Sequence, residues 1–147
     1  MQVQTKTQGI VDVQDEHIVT VPSGLFGFEE YTDFALVESE YQPFVWLQSL
    51  QDKNLAFLLI DPFIICEDYE ADIDDKALAA IGIQDPSDVI VLAVVTVPGD
   101  GRAVTANLQG PLVVNRRNRQ CMQAILGDTK YTTKYSIIDA LKRKEGN

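Results

Sequence analysis

From Met1 to Ile65 apolar and polar residues alternate with a period near two, and turn residues break the alternation every few positions. Successive side chains of a strand point to opposite faces, so this spacing specifies short, half-buried strands. Helical spacing is nearly absent from the stretch. The strands expected from it are Gln2 to Lys6, Ile10 to Val13, His17 to Val21, Phe34 to Glu38, Phe44 to Ser49 and Ala56 to Ile60. Between the third and fourth lies Pro22-Ser23-Gly24-Leu25-Phe26-Gly27-Phe28, whose glycines can take positive φ and turn the chain tightly. Two readings of its aromatics stand: Phe26 or Phe28 tucks over one end of the β structure, or the pair forms an exposed hydrophobic contact. A short helical turn can follow at Glu29 to Tyr31.

Beyond Asp61-Pro62, an acidic run from Glu67 to Asp75 leads into Lys76-Ala77-Leu78-Ala79-Ala80-Ile81. Those residues favour helix, with Asp74 as the N-cap and Gly82 as the stop. The run Val89 to Val97 is continuously apolar and rich in valine, which predicts a central strand buried on both faces. It is about half the length needed to cross a bilayer as a helix. Pro98-Gly99-Asp100-Gly101 is expected to close a hairpin onto Ala103 to Leu108, followed by Leu112 to Asn115 and Gln120 to Leu126. Arg119 to Leu126 also reads as a helical turn.

About ten strands, one short helix and no βαβ alternation predict a mainly β fold. We expect a single domain, an antiparallel barrel-like structure or curled sandwich, and 147 residues suit one core. The domain is expected over residues 1–138, with 139–147 as a basic tail.

Charge divides the chain. Residues 1–75 carry 16 acids against Lys6 and Lys53, whereas residues 76–147 carry 6 acids against 10 bases, so a net of −14 faces a net of +4. Such a protein repels nucleic acid and anionic membranes at long range, so neither is expected as a direct partner. Met1 to Lys6 lacks the charged-then-apolar order of a secretion signal, and Cys66 and Cys121 lie far apart outside any Cys-x-x-Cys pair. A cytoplasmic chain with two core thiols is the expectation.

Catalytic parts are sparse. His17 is the sole histidine, and no motif places a nucleophile or an orienting group beside it, so an exposed strand histidine is the expectation. The segment Glu67 to Asp75 holds six carboxylates in nine residues, but it lacks the glycine and terminal glutamate of an EF-hand calcium loop. It reads as a solvated face or as an acidic docking surface for a basic partner, with Phe63 and Tyr69 beside it. Arg116-Arg117-Asn118-Arg119, the one basic cluster, has no interleaved aromatics for stacking bases and reads as a solvated turn. No metal, cofactor or catalytic residue is expected. The residues favour a protein that masks a protein partner, against a cation-dependent hydrolase using the acidic run or a structural subunit of an oligomer.

Gly24 to Glu29, Leu47-Gln48-Ser49, Leu59-Ile60-Asp61-Pro62, Tyr69, Thr105 to Asn115, Gln123 to Leu126 and Tyr131 to Lys134 stand in an order and spacing that local structure alone does not require. Through them the chain resembles, over about residues 2–138, the FliW family of flagellar assembly factors. The family's Asn-x-x-Ala-Pro-Ile-x-x-Asn element reads here as Asn107 to Asn115, with Gly110 in place of alanine and Leu112 in place of isoleucine. The resemblance implies a cytoplasmic chaperone and anti-repressor that binds the RNA-binding translational repressor CsrA and also binds flagellin. By the same resemblance, binding to CsrA is expected to relieve repression of flagellin translation, and flagellin to withdraw the protein. The expected partner-binding residues are Glu67, Asp68, Tyr69, Glu70, Asp72, Asn107, Pro111 and Asn115. For the two asparagines a capping role in the backbone is the competing reading.

Overall fold

The computed structural model describes residues 1–100, 102–127 and 130–145, the last two of these by backbone alone. The first strands are β1 (Gln2–Gln4), β2 (Ile10–Asp12), β3 (Ile18–Thr20), β4 (Asp33–Glu38), β5 (Val45–Ser49) and β6 (Ala56–Ile60). The short helices α1 (Pro62–Ile65) and α2 (Asp75–Ala80) follow. Next come β7 (Val89–Thr96), β8 (Thr105–Ala106), β9 (Leu112–Asn115), β10 (Cys121–Gln123), β11 (Tyr135–Ser136) and α3 (Ile137–Glu145). The strands expected at Ala56–Ile60 and Leu112–Asn115 form with those bounds, and α2 begins after Asp74, whose carboxylate accepts the Lys76 N–H at 3.1 Å. To that helix the structure adds α1 and α3.

All the pairings between these strands are antiparallel, in the order β10-β9-β7-β6-β5-β4-β3, with β8 and β11 branching from β7. The path curls until its two ends nearly meet. They touch at one bridge, Thr20 to Gln120, where the Thr20 N–H donates to Arg119 O at 3.0 Å. The result is a curled sheet rather than a closed barrel. Inside it sit Val19, Val21, Phe34, Leu47, Leu59, Leu112, Val114 and Cys121. A second cluster, with Ile65, Tyr69, Leu108, Tyr131 and Ile137, lies where α1 and α3 pack on β7 and β8. The hairpin β1–β2 closes a third with Val3, Val13, Ala35 and Val37.

Several local expectations change; the strands expected at Gln2–Lys6 and Gln120–Leu126, for example, shorten to β1 and β10. β7 is central but is not buried on both faces: Ile90 is 37% exposed, and Val97, expected to close the strand, falls just past its end and is 60% exposed. The reason is that β7 is shared, pairing β9 over its first half and β6 and β8 over its second, so no layer covers its whole length. The strand expected at Ala103–Leu108 shortens to β8, because Asn107 Oδ1 accepts the N–H groups of Gln109 and Gly110 and turns the chain. His17 closes a 3-10 turn, Asp15–His17, instead of opening β3, and its side chain is exposed. In the expected hairpin turn Gly101 lies outside the described residues. Residues 139–145, set apart in the sequence as a basic tail, lie in α3, where Ala140 is buried; residues 146–147 lie outside the described residues.

Candidate partner-binding surface

The acidic run is held by its neighbours. Asp61 caps α1 by accepting the Phe63 N–H at 3.0 Å, Pro62 occupies the first turn, and the Cys66 N–H closes the helix on Pro62 O. The chain then leaves in extended form, and burial alternates along it. Tyr69 is 4% exposed and Ala71 and Ile73 are half-buried, while Glu70, Asp72 and Asp74 are exposed. Glu67, Asp68 and Asp75 are exposed as well. The carboxylates therefore form an outward strip on an apolar underside.

Tyr69 fastens that strip. Its hydroxyl donates to Leu108 O at 2.6 Å, and its ring meets Phe63 and Tyr131 edge-on at 5.7 and 4.7 Å between centroids. Tyr131 returns the contact, its hydroxyl accepting the Glu70 N–H at 2.6 Å. Burial pushes the Tyr69 phenol above its ordinary range, with the neighbouring Tyr131 adding to the effect. Lys130 lies over the Tyr131 ring at 5.5 Å, and Tyr131, then Glu70 and Asp68, hold its ammonium protonated more firmly than usual.

Asn107, Pro111 and Asn115 lie apart from the strip in their visible contacts. Asn107 makes the turn described above. Pro111 is buried, its carbonyl accepting the Ala124 N–H at 2.9 Å. Asn115 is 2% exposed; its Nδ2 donates to Ile81 O at 2.9 Å and its Oδ1 accepts the Arg117 N–H at 2.9 Å. Its amide thereby ties the end of α2 to the β9–β10 turn. Asn118 Nδ2 donates to the same Ile81 carbonyl.

Two structural pairs carry no obvious mark in the sequence. Asp88 is 7% exposed and pairs with Arg117 at 3.1 Å and Arg116 at 4.0 Å, so two of the cluster's three arginines are engaged within the chain. Gln123 bridges two segments, its Oε1 accepting the Phe26 N–H and its Nε2 donating to Gly110 O, each at 3.0 Å. In the glycine loop Phe26 is exposed while Phe28 packs edge-on against Phe57, so each reading holds for one ring. Among the described residues no three His, Cys, Asp or Glu side chains are grouped to hold a metal ion, and no helix is long and apolar enough to cross a membrane.

The thiols give a test of this packing. Burial pushes Cys121 up to about 12 from 9.0, and it raises Cys66 too, with help from Asp68 at 3.4 Å. A raised thiol favours the neutral form in the fold. Its contribution is therefore complete below pH 9.0 and is lost as pH rises from 9.0 toward about 12. The urea midpoint should hold steady up to about pH 9 and fall above it, with Cys121→Val removing part of that fall. In native protein at neutral pH, Ellman's reagent should label Cys66 alone; equal labelling of Cys121 would contradict the packing.

The fold and strip define a class: a small, acidic, mainly antiparallel β protein with an outward carboxylate row on aromatic anchors. The chain belongs to the FliW family, whose model, described as FliW protein, matches residues 2–137. Three proteins described as flagellar assembly factor FliW are similar to it. The one from Treponema denticola is 48% identical over 96% of this chain and 96% of its own, and that from Treponema pallidum 50% over 94% and 92%. The one from Ruminiclostridium cellulolyticum is 37% identical over 99% of both chains. A crystal structure of the flagellar assembly factor FliW superposes with a TM-score of 0.84 at 36% identity, covering 93% of this chain and 96% of that one.

Proposed function

We propose that the chain serves flagellar assembly in the cytoplasm as an anti-repressor and flagellin-binding chaperone. It binds CsrA, relieves repression of flagellin translation, and is withdrawn when flagellin accumulates. The reading is supported by family membership and carried by one observation, the outward row of carboxylates from Glu67 to Asp75. A protein that binds RNA presents basic surface, and an acidic row attracts it. Docked beside the RNA surface, the row's field raises the cost of bringing in phosphate, a coupling between distinct sites that needs no shared contact.

Neutralising Glu67, Asp68, Glu70 and Asp72 together to their amides should weaken CsrA binding about 10- to 100-fold, since exposed charges contribute fractions of a kcal/mol each. The salt dependence should flatten in the same titration. Unchanged affinity in the quadruple variant would sink the proposal. Mixing the chain with CsrA and flagellin separately and together tests the exchange, and a stable ternary complex would refute it.

A further inference from the structure

β7 changes neighbours halfway along. On one edge it pairs with β6 from Ala93 to Val95, and β6 stops at Ile60 because Asp61 and Pro62 turn the chain into α1. Residues 89–92 therefore have a strand on one side only, β9. Hydrogen-bond parity identifies the groups on the open side. The Ala124 N–H donates to Pro111 O and the Asn115 N–H to Gln120 O, so Pro111, Val113 and Asn115 bond toward β10, and Leu112 and Val114 toward β7. Their partners Leu92 and Ile90 bond back to β9, and the Asn107 N–H to Val94 O bond keeps the same parity. Val89 and Val91 face the other way. The Val89 N–H is taken by Pro86 O, which leaves the Val89 carbonyl and both backbone groups of Val91 aimed past the end of β6. No loop or side chain among the described residues bonds to these groups.

That edge opens onto a groove of about 510 Å³ lined by Ala71, Ile73, Leu78, Val89 and Val91. Asp72 and Asp75 are its charged groups, and no lysine or arginine lines it. One donor and two acceptors in strand geometry, apolar walls and carboxylates at the margin match one kind of occupant. Main-chain bonds hold an added strand, while its alternate side chains enter the groove or cover Ile90 on the opposite face.

We propose that the open edge of β7 is a strand-addition site for an extended apolar segment, flanked by lysine or arginine, of the basic RNA-binding partner. The assignment rests on the preceding reading for the partner's identity. Its brevity and acidic margin keep the edge from pairing with a second copy.

Val91→Pro removes the one groove-facing N–H while leaving the β9 ladder intact, a change edge positions tolerate. By calorimetry with purified CsrA, the variant should bind about tenfold more weakly than the unmodified chain. Hydrogen exchange supplies a readout that needs no variant: the Val91 amide should exchange at least tenfold more slowly in the CsrA complex than in the free chain. Binding of CsrA with no protection at Val91 and no loss in Val91→Pro would overturn the site and spare the function. Absence of CsrA binding by the unmodified chain would overturn both. Protection by flagellin alone, or by self-association in light scattering, would overturn the assigned occupant.

Discussion

Gly24→Ala is expected to cost about 2–5 kcal/mol of stability, a large part of what holds a domain of this size together. Two effects add. Gly24 has φ +68, a left-handed conformation that costs an L-residue about 1–2 kcal/mol. A Cβ there would also lie 2.3 Å from Glu29 Cα and 2.6 Å from Glu29 O, backbone atoms that cannot swing aside as a side chain would. Forcing them apart costs about 1–3 kcal/mol more and disturbs the loop that seats Leu25 and Phe28 on the core inside the curled sheet. Gly27 is the control. Its φ of +85 is just as left-handed, but nothing lies within 4 Å of its Cβ position, so Gly27→Ala should cost only about 1–2 kcal/mol. Thermal unfolding of the two variants reads the difference, at about 2–4 °C per kcal/mol. Equal shifts would show that close approach to Glu29 plays no part.

Tyr69→Ala is the second large change, at about 3–5 kcal/mol for a buried aromatic ring. Tyr69→Phe keeps the ring between Phe63 and Tyr131 and removes only the hydroxyl, leaving Leu108 O without that donor at a cost of about 1–3 kcal/mol. The pair separates scaffold from surface. If the ring positions the carboxylates, calorimetry at a temperature where both variants are folded should find Tyr69→Ala binding CsrA more weakly than Tyr69→Phe. Matching affinities would mean that the strip binds through its charge without a fixed shape. The phenol also contributes to alkaline sensitivity: its ionisation is disfavoured in the fold, so this share of stability fades as pH rises above the ordinary tyrosine range, and it is absent in Tyr69→Phe.

Tyr69 shows how far a linear reading reaches. Its place among six carboxylates marks it out, while its inward side is seen only in the structure, where burial alternates from Tyr69 to Asp74. Its partners Leu108 and Tyr131 lie 39 and 62 residues away, and no local spacing announces them. Asp88 is similar. It reads as one acid among many before β7, yet it is nearly buried against Arg117, which turns part of a basic cluster into an internal brace.

The positions of most strands, the helix after Asp74 and the outward acids were determined by the sequence itself, because period-two burial, capping and charge are local properties of neighbouring residues. The tertiary structure alone decided that the sheet curls to a single bridge between Thr20 and Gln120, that Asn115 is buried as a tie to Ile81, and that β7 keeps an open edge. Each depends on which distant strand arrives alongside and where it stops. That is settled by long-range packing and hydrogen-bond parity, to which residues adjacent in the chain are blind.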